Sequence, residues 1–358
     1  MAESSDTGLF WSTAPEQVII DTDPGIDDCM ALFLALSCPH RIQVKGVTII
    51  FGNHYDLDLL AGNACRVLDM AAAENINVYK GCAVPLDGVY GGHSGVRVHG
   101  ENAIGGFAGR EVVNRHLVQE TSAADFIIET CKQNPKQITI ITLGPLTNIA
   151  TAFQKCPELP QYVKRIVSMG GVLNEPGNIT PVAEANFGND ALAAKTVLNA
   201  KFPLTLVPLN VTRQVHLNSS FRQTLKGIGE IGDFIYNTTE HYVALLTKWG
   251  NDPEKIAIHD SSAVMAVLRP EFFTKKQQIY IDVESKGERT KGMCVPGTFS
   301  PWLFLLFCFR VLVHSLHGFI LVGFVLFLTL KLSNRLEGTF QKGRGISSEH
   351  RSFVRSGR

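Results

Sequence analysis

Short runs rich in β-branched and other apolar residues alternate with segments of helical periodicity along most of the chain. Such runs occupy residues 18–20, 44–51, 138–143, 165–169 and 203–211, and a helical segment lies after each of them. A strand with one face in water alternates apolar and polar residues, whereas a strand buried on both faces is apolar throughout. Strands that alternate with helices therefore predict an α/β fold whose parallel sheet is covered on both faces.

The charge balance excludes two broad classes of protein. The 358 residues include 33 Lys and Arg and 33 Asp and Glu, so the formal net charge is zero. This balance excludes a globally basic nucleic-acid-binding protein and an acidic disordered tail, and we expect no nucleic-acid partner. With 45% hydrophobic residues, the chain can build a substantial core.

Cysteine usage and the first residues indicate a reducing compartment. The eight cysteines include no CxxC pair, which argues against a zinc site and against a disulfide framework. We expect free, buried thiols. The first residues lack a basic segment followed by an apolar run, so we expect no signal peptide and a cytoplasmic location.

The composition changes abruptly near Pro296. Residues 297–358 carry a formal charge of +6 and contain no Asp, whereas residues 1–296 carry −6. We therefore divide the chain into an N-terminal extension (1–16), a main domain (17–296) and an atypical hydrophobic and basic tail (297–358).

Four aspartates follow the first apolar run, in the segment Asp21-Thr-Asp-Pro-Gly-Ile-Asp-Asp28. In an open parallel sheet, ligands bind beyond the carboxyl ends of the strands, where this segment would lie. Carboxylates this close repel one another unless a cation or bound protons neutralise them, and oxygen ligands without His or Cys favour Ca²⁺ or Mg²⁺. The alternative is that they cap the next helix, but one cap needs only one acceptor.

Polar groups follow the later strands as well, and the same rule makes them candidates for a binding site. These further candidates are Asn53, Thr142, Leu143, Met169, Asn178, Glu184, Asn186, Asn210, His259 and Asp260.

The acidic segment at 21–28 resembles the signature of the nucleoside hydrolases, the inosine–uridine-preferring N-ribohydrolases. Further segments similar to that family's motifs occur in the expected order along residues 17–296. They are Phe51-Gly-Asn53, Val98-His-Gly-Glu101, Leu143-Gly-Pro-Leu-Thr-Asn148, Met169-Gly-Gly171, Gly177-Asn178, Ala183-Glu-Ala-Asn186 and Ile258-His-Asp260.

The resemblance implies a Rossmann-like, open, mostly parallel sheet with helices on both faces and a Ca²⁺ ion below a ribose pocket. The implied metal ligands are Asp23, Asp28, Asp260 and the backbone carbonyl of Leu143, and Asp23 would also take the proton of the attacking water. The residues implied to hold the ribose are Asp27, Asn53, Met169, Asn178, Glu184 and Asn186.

Cleavage of an N-glycosidic bond suits these residue types, because anionic and amide oxygens stabilise positive charge on the sugar. The departing base needs a proton, and His259 is the candidate acid. Ala185 stands where some members of the family have an aromatic residue. Tyr242 and Trp249 lie where members of the family have mobile segments that contact the base, but we expect them to be core aromatics of a helix. We expect His99 to be structural or to support the pocket, and a role in the pocket itself is the alternative.

The resemblance implies that the chain releases ribose and free base from ribonucleosides such as inosine and uridine, in nucleoside salvage or catabolism. It also implies a homo-oligomer, since relatives are often dimers or tetramers. The alternative is a non-catalytic isoform that keeps the pocket residues, because the segment after Pro296 replaces the family's expected C-terminal elements.

Residues 311–330 contain no Asp, Glu, Lys or Arg and are long enough to span a bilayer, although His314 and His317 oppose this. Three interpretations stay open: translated non-coding sequence, a membrane anchor that would make the protein membrane-associated, and a hairpin that replaces the lost elements. Under either of the first two, an edge of the sheet is left uncovered.

Overall fold

A computed structural model of the chain describes residues 14–88, 95–109, 111–112 and 114–297, together with the backbone of a strand at 305–311. All statements about side chains below concern the first four of these ranges.

Twelve strands are described, and five of them overlap the apolar runs at 18–20, 44–51, 138–143, 165–169 and 203–211. They are β1 (Glu16–Thr22), β2 (Ile42–Ile49), β3 (Val78–Lys80), β4 (Val118–Gln119), β5 (Ile138–Thr142), β6 (Arg165–Met169), β7 (Leu204–Val207), β8 (His216–Leu217), β9 (Ile256–Ala257), β10 (Phe273–Val283), β11 (Cys294–Gly297) and β12 (Leu305–Val311).

Ten of these strands form one sheet in the order β11-β10-β12-β7-β6-β5-β1-β2-β3-β4, and β8 pairs with β9 separately. Every pairing from β12 to β4 is parallel, whereas β10 runs antiparallel to both of its neighbours. The prediction of an open, mostly parallel sheet is confirmed. Since β1 lies inside the sheet, its carboxyl end is flanked by those of β2 and β5.

The α-helices connect the strands. They are α1 (Ile26–Leu36), α2 (Leu57–Met70), α3 (Val96–His99), α4 (Ala123–Gln133), α5 (Thr147–Lys155), α6 (Leu159–Tyr162), α7 (Ala185–Asn189), α8 (Ala191–Asn199), α9 (Leu209–Thr212), α10 (Ser219–Leu225), α11 (Glu230–Lys248) and α12 (Asp260–Leu268).

The core lies in two layers, one on each face of the sheet. Along β1, Val18 and Ile20 pack into one apolar cluster and Ile19 into the other, as the alternation of side chains along a strand requires. The first cluster contains buried residues of α1, α2, α11 and α12, and the second contains those of α4, α5 and α8. Helices therefore cover both faces, as predicted, and the described cysteines are free thiols.

Two predicted boundaries are wrong. The strand predicted over 203–211 ends at Val207, because Pro208 follows and residues 209–212 form the helix α9. The sequence also predicts two helices, near 221–238 and 240–249. A single helix, α11, spans the break between them, and the observed break lies between α10 and α11 at 226–229. There Gly227 and Gly229 have φ angles of 77° and 129°, a conformation that favours glycine.

The chain continues beyond Pro296 as part of the sheet, since β12 pairs in parallel with β7 and antiparallel with β10. The expected uncovered edge at β7 is therefore covered by this strand. Apart from Val311, which ends β12, the predicted span at 311–330 lies outside the described residues. Within the described ranges, no helix combines the length and the apolar character needed to cross a membrane.

The helix that follows the acidic segment packs against α11 through an aromatic contact. Phe33 of α1 is fully buried, and its ring meets the ring of Phe234 of α11 edge-on at 5.7 Å between centroids. We expect Phe33→Ala to lower the free energy of unfolding by about 3–5 kcal/mol, because it removes a buried ring and leaves a cavity. Urea unfolding measures this. The control is Val84→Ala, at an exposed residue, with an expected change within about 0.5 kcal/mol. A loss below about 1 kcal/mol at Phe33 would contradict the packing described here.

Candidate active site

The carboxyl end of β1 opens into a short acidic loop that carries buried carboxyl groups. Asp23, Asp27 and Asp28 are each at most 5% exposed, although charged side chains are rarely buried this deeply without partners. The loop enters α1 directly, and Asp28 lies in the first turn of that helix. The side chains therefore sit where the positive end of the helix dipole favours anions.

Asp28 accepts hydrogen bonds from three donors that fix its orientation. Its Oδ1 accepts from the hydroxyl of Thr22 at 2.6 Å, and its Oδ2 accepts from the backbone N–H of Gly25 at 3.0 Å. The amide Nδ2 of Asn53, at the end of β2, donates to the same Oδ2 at 2.8 Å. Burial, with the charge of the nearby Asp27 as a smaller cause, nonetheless raises the pKa of Asp28 to about 7.

Asp23 is oriented by the same asparagine. Its Oδ2 accepts from the backbone N–H of Asn53 at 2.7 Å, and its carbonyl oxygen accepts from Asn53 Nδ2 at 3.0 Å. Its other oxygen, Oδ1, is buried and has no hydrogen-bond partner in the described part of the chain. Burial raises the pKa of Asp23 well above its usual value, and the charge of Asp28 adds to this effect.

Asp21 faces away from this group of carboxyls and supports the sheet. Its Oδ1 accepts from the Thr48 hydroxyl of β2 at 2.6 Å and from Asn148 Nδ2 at 2.8 Å. Its carbonyl oxygen accepts from the backbone N–H of Leu143. Asp21 thus ties the carboxyl ends of β1, β2 and β5 together.

A fourth carboxyl group comes from a distant part of the sequence. Asp260 begins α12, which packs against α1. One carboxylate oxygen each from Asp27, Asp28 and Asp260 lie within 4.8 Å of one another. Burial raises the pKa of Asp260 well above its usual value, and the charges of Asp27, Asp28 and Asp23 raise it further.

These carboxyls fit a hard divalent cation. All the side-chain donors are oxygens, which Ca²⁺ and Mg²⁺ prefer. Burial raises the pKa of these carboxyls and their mutual repulsion adds to the shift, and Asp23 Oδ1 is a buried acceptor for which the described residues supply no donor. The donor set therefore matches a site at which a cation completes the charge balance.

Asn186 and Met169 lie beside the predicted carbonyl ligand. Asn186 Nδ2 donates to the carbonyl of Leu143 at 2.7 Å and to the carbonyl of Met169 at 3.1 Å. A carbonyl oxygen has two lone pairs, so Leu143 retains one for a further partner. The predicted ligand carbonyl and two predicted sugar contacts are thus brought together at the ends of β5 and β6.

Glu184 is buried, and its carboxylate caps α7, the short helix that carries Asn186. Its carboxylate accepts from the backbone N–H groups of Gly171, Asn186 and Phe187, which makes it the N-cap of α7. Burial raises the pKa of Glu184 to about 7, against the three N–H donors that favour the anion. Asn178 is exposed, and its Oδ1 accepts from the Ala185 N–H at 2.9 Å.

Asp27 joins the acidic loop to two residues from elsewhere in the sequence. Its Oδ1 accepts from the Tyr242 hydroxyl at 3.1 Å, and its Oδ2 accepts from the backbone N–H of His259 at 3.3 Å. The same hydroxyl lies 3.2 Å from His99 Nδ1, which accepts from the Ile26 N–H. Burial lowers the pKa of His99 to about 4, so the ring is neutral at neutral pH.

The ring of His259 is held by a hydroxyl. Its Nδ1 lies 2.8 Å from Oγ1 of Thr212, in α9. Burial lowers its pKa; the charge of Asp27 opposes this shift and that of Arg213 adds to it. His259 is therefore a neutral imidazole at neutral pH in this environment.

The structure brings the predicted residues together at one edge of the sheet and adds partners that the sequence did not show. Tyr242 is buried as expected, but its hydroxyl also binds Asp27, and His99 belongs to the same network. Trp249 contradicts its prediction as a core residue, because it is 41% exposed and lies under the guanidinium of Arg97. The available signal was His99 in the loop at 95–109 together with the hydroxyl and imidazole side chains of α11.

Comparison with known proteins gives the same family from sequence and from structure. Residues 18–315 match the profile of the inosine-uridine preferring nucleoside hydrolases. The chain is 34% identical to uridine nucleosidase 1 of Arabidopsis thaliana over 286 residues, 79% of this chain and 81% of the relative. It is 33% identical to a non-specific ribonucleoside hydrolase of Escherichia coli over 279 residues, 78% of this chain and 87% of that protein.

A solved structure has the same fold. The purine-preferring ribonucleoside hydrolase from Gardnerella vaginalis superposes with a TM-score of 0.81 at 26% identity, covering 88% of this chain and 99% of that one. The buried carboxyls, the sheet that positions them and these matches together place the chain in the nucleoside hydrolase family.

Proposed function

We propose that this nucleoside hydrolase cleaves the N-glycosidic bond of ribonucleosides such as inosine and uridine in a Ca²⁺-dependent reaction. The observation that carries the proposal is the cluster of buried carboxyl groups of Asp27, Asp28 and Asp260, with Asp23 beside it. The products are ribose and the free base, and the reaction serves nucleoside salvage or catabolism.

Asp23, Asp28, Asp260 and the carbonyl of Leu143 are the proposed ligands of the cation. A bound divalent cation would supply a water of lowered pKa and would bind sugar hydroxyls. Asp23 Oδ1 is the proposed acceptor of the water's proton, since this oxygen has no donor in the described structure.

The sugar is proposed to lie against Asp27, Asn53, Met169, Asn178, Glu184 and Asn186. Carboxylate and amide oxygens stabilise the positive charge that develops on the ribose more strongly than they stabilise the neutral substrate. Most of these groups are held by backbone or side-chain hydrogen bonds before substrate binds, so little reorganisation is needed during the reaction.

His259 is proposed to donate a proton or a hydrogen bond to the departing base. When its Nδ1 accepts from the Thr212 hydroxyl, the proton of the neutral ring lies on Nε2. That tautomer places a donor on the ring without requiring the imidazolium, which burial disfavours. A homo-oligomeric state and a cytoplasmic location remain part of the proposal.

The first prediction concerns the metal. Purified protein should release reducing sugar from inosine and from uridine, chelator should abolish the release, and Ca²⁺ should restore it. Asp260→Asn should lower kcat/KM at least about a hundredfold, because it removes a ligand charge from the cluster. Asp125→Asn is the control, since Asp125 is an exposed carboxylate paired with Lys155.

A thermal shift separates this proposal from the non-catalytic alternative. Ca²⁺ together with ribose should raise the Tm even of a protein that does not turn over, because both bind only the folded site. Neither a shift nor sugar release would favour an isoform that cannot form the site.

The second prediction concerns the proposed base. Asp23→Asn should lower kcat by about 10²–10⁴-fold, because an amide cannot accept the proton of the water. The fold should persist, since the amide oxygen can still accept from the Asn53 N–H that binds Asp23 Oδ2. Circular dichroism checks the fold and the sugar assay checks the rate. Activity within twofold of the wild type would show that another group is the base.

The third prediction concerns the leaving group. His259→Ala should slow inosine hydrolysis by about 10²–10⁴-fold and should slow p-nitrophenyl riboside only a few-fold, because p-nitrophenolate leaves without a proton. Thr212→Val, which keeps the side-chain volume and removes the hydroxyl bound to His259, should show a smaller loss of the same selectivity. Equal losses for the two substrates would exclude a role of His259 at the leaving group.

A further inference from the structure

One arginine beyond the proposed catalytic groups binds the loop that presents Asn178. Arg213 directly follows α9, and its guanidinium Nη1 donates to the carbonyl of Pro176 at 2.8 Å. Its Nη2 donates to the carbonyl of Gly177 at 2.9 Å, and Nη1 lies 3.7 Å from Glu175 Oε2. A single planar side chain thus contacts the residues at 175, 176 and 177, immediately before Asn178.

The rest of this loop is closed on itself. The Gly177 N–H donates to the carbonyl of Pro181, and the Asn178 N–H donates to the carbonyl of Ala183. A Cβ at Gly177 would lie 2.1 Å from the Ala183 carbonyl oxygen, so the turn leaves no room for a side chain there. These hydrogen bonds make the turn one connected unit, and its position depends on the contacts that hold it to the sheet.

The contacts to α9 supply that attachment. The side-chain amide of Asn210 makes two hydrogen bonds with the backbone of Leu173. Its Oδ1 accepts from the Leu173 N–H at 3.0 Å, and its Nδ2 donates to the Leu173 carbonyl at 2.8 Å. Arg213 binds the loop nearer to Asn178. Charge-assisted bonds from a guanidinium are stronger than neutral ones and fix direction as well as distance. Because Thr212 of the same short helix contacts His259, neighbouring residues hold the two sides of the proposed pocket.

Asn178 has one group left for a ligand. Its Oδ1 accepts from the Ala185 N–H, while its Nδ2 has no hydrogen-bond partner in the described part of the chain. The side chain is exposed, so this donor is available. Its position relative to the sugar is set by the turn that Arg213 binds.

We propose that Arg213 is a positioning residue: it fixes the turn at 175–178 so that Asn178 meets the ribose of the substrate. This inference rests on the proposed hydrolysis of ribonucleosides. A displacement of about 1 Å in a group that binds substrate can cost about a hundredfold in rate. Asn178 is proposed to contact the sugar, and His259, on which the charge of Arg213 also acts, is proposed to serve either departing base. The effect of Arg213 is therefore expected to be the same for inosine and uridine.

The test compares Arg213→Ala with Arg213→Lys and with a matched control, Arg165→Ala. Arg165 has a similarly exposed side chain, 32% against 35%, and also binds through several hydrogen bonds, but its partner is Glu16 at the amino end of β1. Two quantities are measured without turnover: the Kd for pseudouridine, whose carbon–carbon glycosidic bond resists hydrolysis, and the Kd for Ca²⁺ alone. Steady-state kinetics with inosine and uridine follow.

We expect Arg213→Ala to weaken pseudouridine binding about tenfold and to lower kcat/KM by about tenfold to a hundredfold, equally for inosine and uridine. Ca²⁺ affinity should stay within about twofold, because Arg213 contacts none of the proposed metal ligands. Arg213→Lys should recover part of the loss, and millimolar guanidinium ion should partly rescue Arg213→Ala. Arg165→Ala should leave all of these values near those of the wild type.

Four outcomes would overturn the inference: unchanged pseudouridine binding in Arg213→Ala, an equal loss in Arg165→Ala, a parallel loss of Ca²⁺ affinity, or a loss that differs between inosine and uridine. If the wild type hydrolyses nucleosides and Arg213→Ala equals it, only the inference fails. If the wild type neither binds pseudouridine nor releases sugar, the proposed function fails, and this inference fails with it.

Discussion

The repulsion between buried carboxyl groups at the carboxyl end of β1 is the constraint around which this structure is arranged. Asp23, Asp28 and Asp260 all have raised pKa values, because burial disfavours their anions and each lies near the charges of the others. The groups stay together because apolar packing holds α1 and α12, which carry Asp28 and Asp260, against each other. Apolar burial in these helices therefore opposes an electrostatic cost in their first turns. A cation bound among the oxygens would remove the repulsion that remains in the folded protein, and the relief of this repulsion would contribute to the free energy of cation binding.

Neutral hydrogen-bond donors orient the carboxylates without neutralising their charge. Thr22, Gly25 and Asn53 each donate to Asp28, and Asn53 also donates to Asp23, so the two carboxylates are oriented by short-range bonds. None of these donors carries a positive charge. An arginine or a lysine at the same place would neutralise the cluster permanently and would compete with a metal ion. The choice of hydroxyl, backbone and amide donors thus fixes geometry while it leaves the negative charge available to a ligand.

The sequence predicts this site well where the site is local and poorly where it depends on contacts between distant segments. The acidic loop could be placed because a strand that runs into aspartates and then into a helix must put them at the carboxyl end of the sheet, and the same rule placed Asn53. The rule also selected Asp260, although β9, the strand before it, pairs with β8 outside the main sheet. The bond between Tyr242 and Asp27 joins residues 215 apart, and no periodicity in α11 distinguishes a hydroxyl that binds a carboxylate from one at the edge of the core. The break before α11 was visible in Gly227 and Gly229. The strand β12 was not predicted, because periodicity does not distinguish a short apolar run in a strand from one in a helix.

Asp27 connects the residues proposed to hold the sugar with the loop at 95–109 and with α11, through its hydrogen bonds. The sugar side is built from strand ends and short turns, which the sheet and the contacts from Asn210 and Arg213 hold in place. On the other side of Asp27 lie the loop at 95–109 and α11. They contact each other where His99 meets Tyr242, and Arg97 lies over Trp249 at the end of α11. One oxygen of Asp27 accepts from Tyr242 and the other from the N–H of His259. A displacement of α11 would withdraw a donor from one oxygen of a carboxylate that also raises the pKa of Asp28 and Asp260. A change in the position of α11 would therefore act electrostatically on the carboxyls through one residue, without movement of the sheet.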